Sequence, residues 1–94
     1  MNKNSGTLVP PMLYLPTIIR DEVGVPVVVN TSDGRVALPV YTALDRLADN
    51  CGTNRSWMLV ATEDLGRIRD EIRFDVVGFD LPIPRQVRDA WNRA

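Results

Sequence analysis

The clearest pattern of apolar and polar positions lies at residues 34–52. Its first part alternates, with Val36, Leu38 and Val40 between more polar neighbours, which predicts a half-buried strand over residues 35–42 with Tyr41 on its outer face. Its second part repeats apolar residues with helical spacing and predicts one short amphipathic helix. The apolar positions of that helix are Leu44, Leu47, Ala48 and Cys51, with Thr42 as its expected N-cap and Gly52 as its expected end.

The segment before this unit is apolar but rich in proline. Pro10, Pro11 and Pro16 interrupt residues 8–19, which excludes a helix and disfavours a central strand. We therefore expect an extended arm, or an edge strand over residues 12–19, behind a polar and frayed start at residues 1–7. Next comes a predicted hairpin, whose strands at residues 25–30 and 35–42 are joined through an Asp-Gly turn.

Four further elements are predicted in the second half of the chain. They are a strand at Trp57–Ala61 covered on both faces, a helix capped by Thr62 with Leu65, Ile68 and Ile72 on its buried side, a strand at 74–79, and a final helix after Pro84. Strands that alternate with helices predict an α+β fold, a small mixed sheet of about four strands with two to three short helices packed on it.

The chain length fits one small unit with two appendages. We expect residues 1–24 to be a flexible amino terminus and proline-rich arm, residues 25–80 to be the α+β domain, and residues 81–94 to be a linker and carboxyl-terminal helix. The amino terminus does not have the pattern of a secretory signal, and no apolar run is long enough for a membrane span. These features predict a cytoplasmic protein without membrane insertion.

The composition gives little support to catalysis. The chain has no histidine and one cysteine, Cys51, which the helical spacing places in the core as an inert thiol. Its glycines do not form a phosphate-binding motif, and its carboxylate pairs fit helix termini and exposed helix faces. The sequence therefore predicts a non-enzymatic protein with no cofactor and no metal.

Protein binding is the function that the residues favour. The arm either covers its own sheet or docks in a groove of another protein, and the edge strands also allow a homodimer by sheet extension. Exposed aromatic and arginine side chains are typical of interface contacts. The predicted protein-binding residues are Leu13, Tyr14, Tyr41, Arg85, Arg88 and Trp91.

The last helix also allows a second function. Arg85, Arg88 and Trp91 form a small basic and aromatic patch, which is the pattern of a weak nucleic-acid-binding protein. The net charge of −1 and the neighbouring Asp89 argue against a broad positive surface, so nucleic acid is the less favoured partner. The simpler interpretation is a solvated helix face with its tryptophan packed inward.

Residues 26–80 combine several short features: Asp33-Gly34-Arg35, the run Leu38 to Thr42, the helix with Leu44 and Leu47, the strand at Trp57, and Phe79-Asp80. With these features they resemble the small SseB-like domain, including short uncharacterised actinobacterial relatives. The resemblance implies an α+β fold and an accessory, non-catalytic role. The length and the arginine content would also suit a protein encoded by an actinobacterial phage or mobile element that modulates a host protein.

Overall fold

Six strands and three α-helices make up residues 9–93, which are the residues that the computed structural model describes. The predicted frayed residues 1–7 lie outside this range. The strands are β1 (Met12–Arg20), β2 (Val23–Pro26), β3 (Val29–Asn30), β4 (Val36–Val40), β5 (Trp57–Ala61) and β6 (Val76–Phe79). The helices are α1 (Leu44–Cys51), α2 (Leu65–Glu71), which follows a 3₁₀ turn at Thr62–Asp64, and α3 (Arg85–Asn92).

The strands form two three-stranded sheets that meet at one pair of residues. The first sheet is antiparallel with the order β2-β1-β5, and the second has the order β3-β4-β6, with β6 parallel to β4. Between the sheets, the Tyr14 N–H donates to the Tyr41 carbonyl at 2.9 Å and the Tyr41 N–H to the Tyr14 carbonyl at 2.8 Å. The predicted α+β class with short helices is confirmed, and the described residues contain two sheets where the sequence predicted one.

The proline-containing segment lies in the middle of the first sheet, as β1, and not at an edge. The Pro16 carbonyl accepts a hydrogen bond from the Val27 N–H at 3.1 Å. Because the N–H and C=O positions of one strand residue point to the same side, the Pro16 nitrogen faces away from β5 and removes no bond from that ladder. The predicted arm is therefore part of the folded unit, and a boundary at residue 24 does not separate it.

Apolar side chains pack on both faces of the central strands. Leu13, Leu15, Leu38, Val40 and Phe74 form a cluster on the face that α2 covers, with Leu65 and Ile68 packed against it. Val27, Tyr41, Leu47, Cys51, Ile83 and Trp91 form the cluster on the other face, with α1 and α3. Since both faces of β4 are covered, Val40 and Tyr41 are both buried although they are adjacent in sequence.

The start of α1 is fixed by a carboxylate from the end of β6. The predicted cap, Thr42, makes no capping bond, and Ala43 is the residue before the helix. Thr42 instead donates to Asp80, from its N–H at 3.0 Å and from its hydroxyl at 2.9 Å, while Arg46 Nη1 donates to the same carboxylate at 2.9 Å. Burial acts to raise the pKa of Asp80, but these donors outweigh it and lower the pKa below its usual value.

The end of α1 agrees with the sequence pattern. Gly52 follows the helix with a φ of 105°, a left-handed conformation that a side chain would strain, and its N–H donates to the Ala48 carbonyl at 2.9 Å. Leu47 and Cys51 are buried as predicted, whereas Leu44 is 39% exposed.

Candidate binding surfaces

The outer edge of β5 has backbone groups without a strand partner. β5 pairs with β1, with Leu13 opposite Val60, and the Thr17 N–H donates to the Ser56 carbonyl at 2.9 Å. The even-numbered residues of this segment therefore direct their backbone groups to β1, and Trp57 and Leu59 direct theirs outward. In the part of the chain that the structure describes, no strand pairs with this outward side.

An exposed apolar face accompanies this edge. Trp57 is 45% exposed, Leu59 is 47% exposed, and Met12 on the neighbouring strand is 41% exposed. The register places Met12 opposite Ala61 and Tyr14 opposite Leu59, so these side chains share one face of the sheet. The Tyr14 and Trp57 rings pack edge to face with their centroids 5.4 Å apart. The prediction that β5 is covered on both faces is therefore wrong for this face. We call Met12, Tyr14, Trp57 and Leu59 the β5 face.

A cleft of about 440 Å³ lies between α3 and the loop that connects α1 to β5. Its charged lining residues are Arg55, Arg85, Arg88 and Asp89. Three of these come from α3 at positions 85, 88 and 89, which the helical repeat places on one face. Three arginines against one aspartate give the lining two uncompensated positive charges.

The arginines of this cleft make few polar contacts. The Arg55 guanidinium lies 5.3 Å from the centroid of the Trp91 ring, and its Nη2 donates to Asn92 Oδ1 at 2.6 Å. The Nε atoms of Arg55 and Arg88 are enclosed and have no acceptor within residues 9–93. In the same range, neither these two nor Arg85 forms an ion pair with a carboxylate. We call Arg55, Arg85 and Arg88 the arginine cleft.

Cys51 lines the same cleft but is not a reactive thiol. Its side chain is 2% exposed, and it packs with Tyr41 and Leu47 in the core. Burial raises the pKa of the Cys51 thiol, and its contact with Tyr41 and the charges of the nearby arginines offset that effect only in part. The expectation of a buried cysteine is confirmed.

Two of the predicted binding residues belong to the core. Leu13 and Tyr41 are fully buried, so neither contacts a partner in this conformation. Leu13 faces the α2 cluster, and the Tyr41 hydroxyl donates to the Leu81 carbonyl at 2.6 Å. Their assignment to a binding surface was wrong, because the strands that carry them are covered on both faces. Tyr14 is half-buried and belongs to the β5 face.

The structure brings the other three predicted residues together. Arg85 and Arg88 line the cleft, and Trp91 lies beneath Arg55 as a buried part of the core. The inward packing of Trp91 agrees with the simpler interpretation of this helix.

Sequence reasoning missed four residues that the surfaces contain, which are Met12, Trp57, Leu59 and Arg55. Trp57 and Leu59 are two residues apart, which is the spacing of one strand face, but the continuous apolar run masked that signal. Arg55 lies in a polar loop, and its contact with α3 depends on tertiary packing that sequence periodicity does not report.

Comparison with models of protein families, with curated proteins and with solved structures gave no match. The resemblance to the SseB-like domain thus stays a prediction. Within residues 9–93, no group of three histidine, cysteine or acidic side chains is placed to hold a metal ion. None of the helices described is long and apolar enough to cross a membrane.

Proposed function

We propose that this protein is a non-catalytic accessory protein that binds another protein along the open edge of β5. The observation that carries the proposal is the combination of outward backbone groups at Trp57 and Leu59 with the exposed β5 face. An extended partner segment that adds to such an edge gains main-chain hydrogen bonds and places alternate side chains on the same face.

The edge lacks two of the usual features that prevent strand addition, charged residues and proline. Folded proteins commonly protect an edge strand with charged residues, proline, a bulge or a covering element. β5 reads Trp-Met-Leu-Val-Ala, without charge or proline, and within residues 9–93 no strand pairs with its outer side. Burying the remaining exposed half of Trp57 or Leu59 would contribute about 1 kcal/mol each, on the scale of full burial of a large apolar side chain.

A second copy of the chain is one partner that fits this edge. Antiparallel pairing centred on Leu59 would place Trp57 of one copy beside Ala61 of the other, so that a large side chain lies next to a small one. A homodimer by sheet extension is therefore one form of the proposed contact.

The test compares two leucine-to-lysine variants in affinity purification from the native host with quantitative mass spectrometry. Leu59→Lys places a charge on the β5 face, and Leu44→Lys makes the same change at a leucine of similar exposure on α1. Capture of the partner should fall about tenfold or more for Leu59→Lys, which corresponds to about 1.4 kcal/mol. Capture should be unchanged for Leu44→Lys.

Light scattering over a range of concentrations tests the homodimer with the same two variants. A dimer that Leu59→Lys dissociates and Leu44→Lys leaves intact would support sheet extension. The proposal is wrong if the wild-type chain is a monomer throughout and its captured partners are bound equally well by Leu59→Lys. It is also wrong if no protein is captured specifically and no dimer forms.

A further inference from the structure

The arginine cleft is a concave site with excess positive charge, separate from the β5 face. Arg85 and Arg88 come from one face of α3, and Arg55 comes from the loop before β5. Asp89 lines the same cleft, yet none of the three arginines lies within 4.0 Å of a carboxylate in residues 9–93. Elsewhere in that range, three other arginines each pair with an aspartate: Arg35, Arg46 and Arg67.

The guanidinium groups of the cleft have unused donors. Each arginine has five N–H donors in a planar fork, and this fork matches the oxygens of an oxyanion. The enclosed Nε–H groups of Arg55 and Arg88 have no acceptor, which is a cost that an acceptor would remove.

The charge and the volume of the cleft suit one class of ligand. A phosphoryl monoester carries a charge of about −1.5 to −2 near pH 7, which balances the two uncompensated positive charges of the lining; a carboxylate balances only one. The cleft, at about 440 Å³, has the size of a site for a small organic molecule and is larger than a bare phosphate needs. Asp89 adds an acceptor that suits a hydroxyl group on the organic part.

We propose that the arginine cleft binds a small organic phosphate monoester, with its phosphoryl group held by Arg55, Arg85 and Arg88. The Arg55 guanidinium lies over the Trp91 ring and donates a hydrogen bond to Asn92. These two contacts restrict the position of the guanidinium before a ligand binds. The proposal does not depend on the β5 face, because no residue of that face lines the cleft.

The experiment is an amide NMR titration of the full chain with ribose 5-phosphate, inorganic phosphate and acetate. Ribose 5-phosphate should give saturable shifts confined to residues 51–55 and 85–92, with inorganic phosphate weaker and acetate weaker again by about tenfold or more. Arg88→Gln and Arg85→Gln should each weaken ribose 5-phosphate by about tenfold, as expected when a charge-assisted hydrogen bond is lost. Arg67→Gln removes the same charge from α2 and should bind as the wild type does.

Several results would overturn the proposal. They are shifts that do not saturate, shifts spread over arginines outside the cleft, and equal weakening by Arg67→Gln. A single-stranded oligothymidylate that binds the same residues far more tightly than ribose 5-phosphate, and loses affinity steeply with salt, would assign the cleft to nucleic acid. Thermal melts of each variant establish that it is folded, and Arg85→Gln, at an exposed position, keeps the test decisive if Arg88→Gln unfolds.

Discussion

Replacing Tyr41 with phenylalanine removes one buried hydrogen bond and leaves the ring in place. Tyr41 is fully buried, and its hydroxyl donates to the Leu81 carbonyl at 2.6 Å. Burial raises the pKa of Tyr41, so this hydroxyl stays protonated and remains a donor at neutral pH. Without it, the part-buried carbonyl loses its donor, and we expect a loss of about 1 kcal/mol in the free energy of unfolding.

The assay is urea unfolding and thermal unfolding of Tyr41→Phe beside Tyr14→Phe. Tyr14 is half-buried and its ring packs on Trp57 at the β5 face, so this matched variant should stay within about 0.5 kcal/mol of the wild type. For a domain of this size, each kcal/mol lost should lower Tm by about 4–8 °C. The urea slope should be the same in all three proteins, since the same surface is exposed on unfolding.

Two results would refute the reasoning. One is a Tyr41→Phe variant as stable as Tyr14→Phe, which would mean that the hydrogen bond contributes nothing. The other is a Tyr41→Phe variant that is folded at the assay temperature but no longer captures the partner, which would restore Tyr41 to a binding surface.

Three other substitutions test separate parts of the fold. The donors around Asp80 lower its pKa below 3.8, so its contribution to stability is present above that pH and is lost as the pH falls through the lowered value. Asp80→Asn should cost about 1–2 kcal/mol at pH 7 and flatten the loss of Tm as the pH falls below about 4. A fall of Tm with pH that is the same in the variant and the wild type would contradict this. Gly78→Ala places a Cβ 2.8 Å from Leu81 Cγ and should lower the free energy of unfolding in urea by about 1–3 kcal/mol. Adding Leu81→Ala should recover part of that loss, and a Gly78→Ala variant as stable as the wild type would count against this packing. Gly66→Ala, with no atom within 4 Å of the new Cβ, should raise stability by about 0.5–1 kcal/mol, and a decrease in Tm would contradict a helical position.

The local elements could be predicted where one short-range pattern decided the structure. The strand at residues 36–40 and the helix that Gly52 ends agree with the alternation, the helical spacing and the glycine. The position of β1 could not be predicted, because the effect of Pro16 depends on which side its nitrogen faces in the sheet. That side is set by pairing with β5, more than forty residues away.

Burial was the harder property to predict from alternation. Alternation identifies two faces of a strand, but it does not tell whether one face or both are covered. Tyr41 was placed outward because Val40 was placed inward, and packing of α1 and α3 on the second face buries it. The opposite error occurred at Trp57, where a continuous apolar run indicated a covered strand and the structure leaves one face open.

The candidate surfaces depend on contacts between distant parts of the chain. Arg85 and Arg88 could be identified from the sequence as one face of a basic helix. Arg55 could not, since it reaches the cleft through Asn92 and Trp91, both more than thirty residues away. The open edge of β5 likewise follows from the strand order of the sheet, which the prediction of one four-stranded sheet did not contain.

Amide hydrogen exchange of β5 in the purified complex is the most direct test of the proposed function. In the free protein, the outward amides of Trp57 and Leu59 should exchange rapidly, while those of Met58 and Val60, which face β1, should be protected. On binding, Trp57 and Leu59 should become protected and the α1 amides should not change. A complex in which these two amides still exchange as in the free protein would contradict strand addition at this edge.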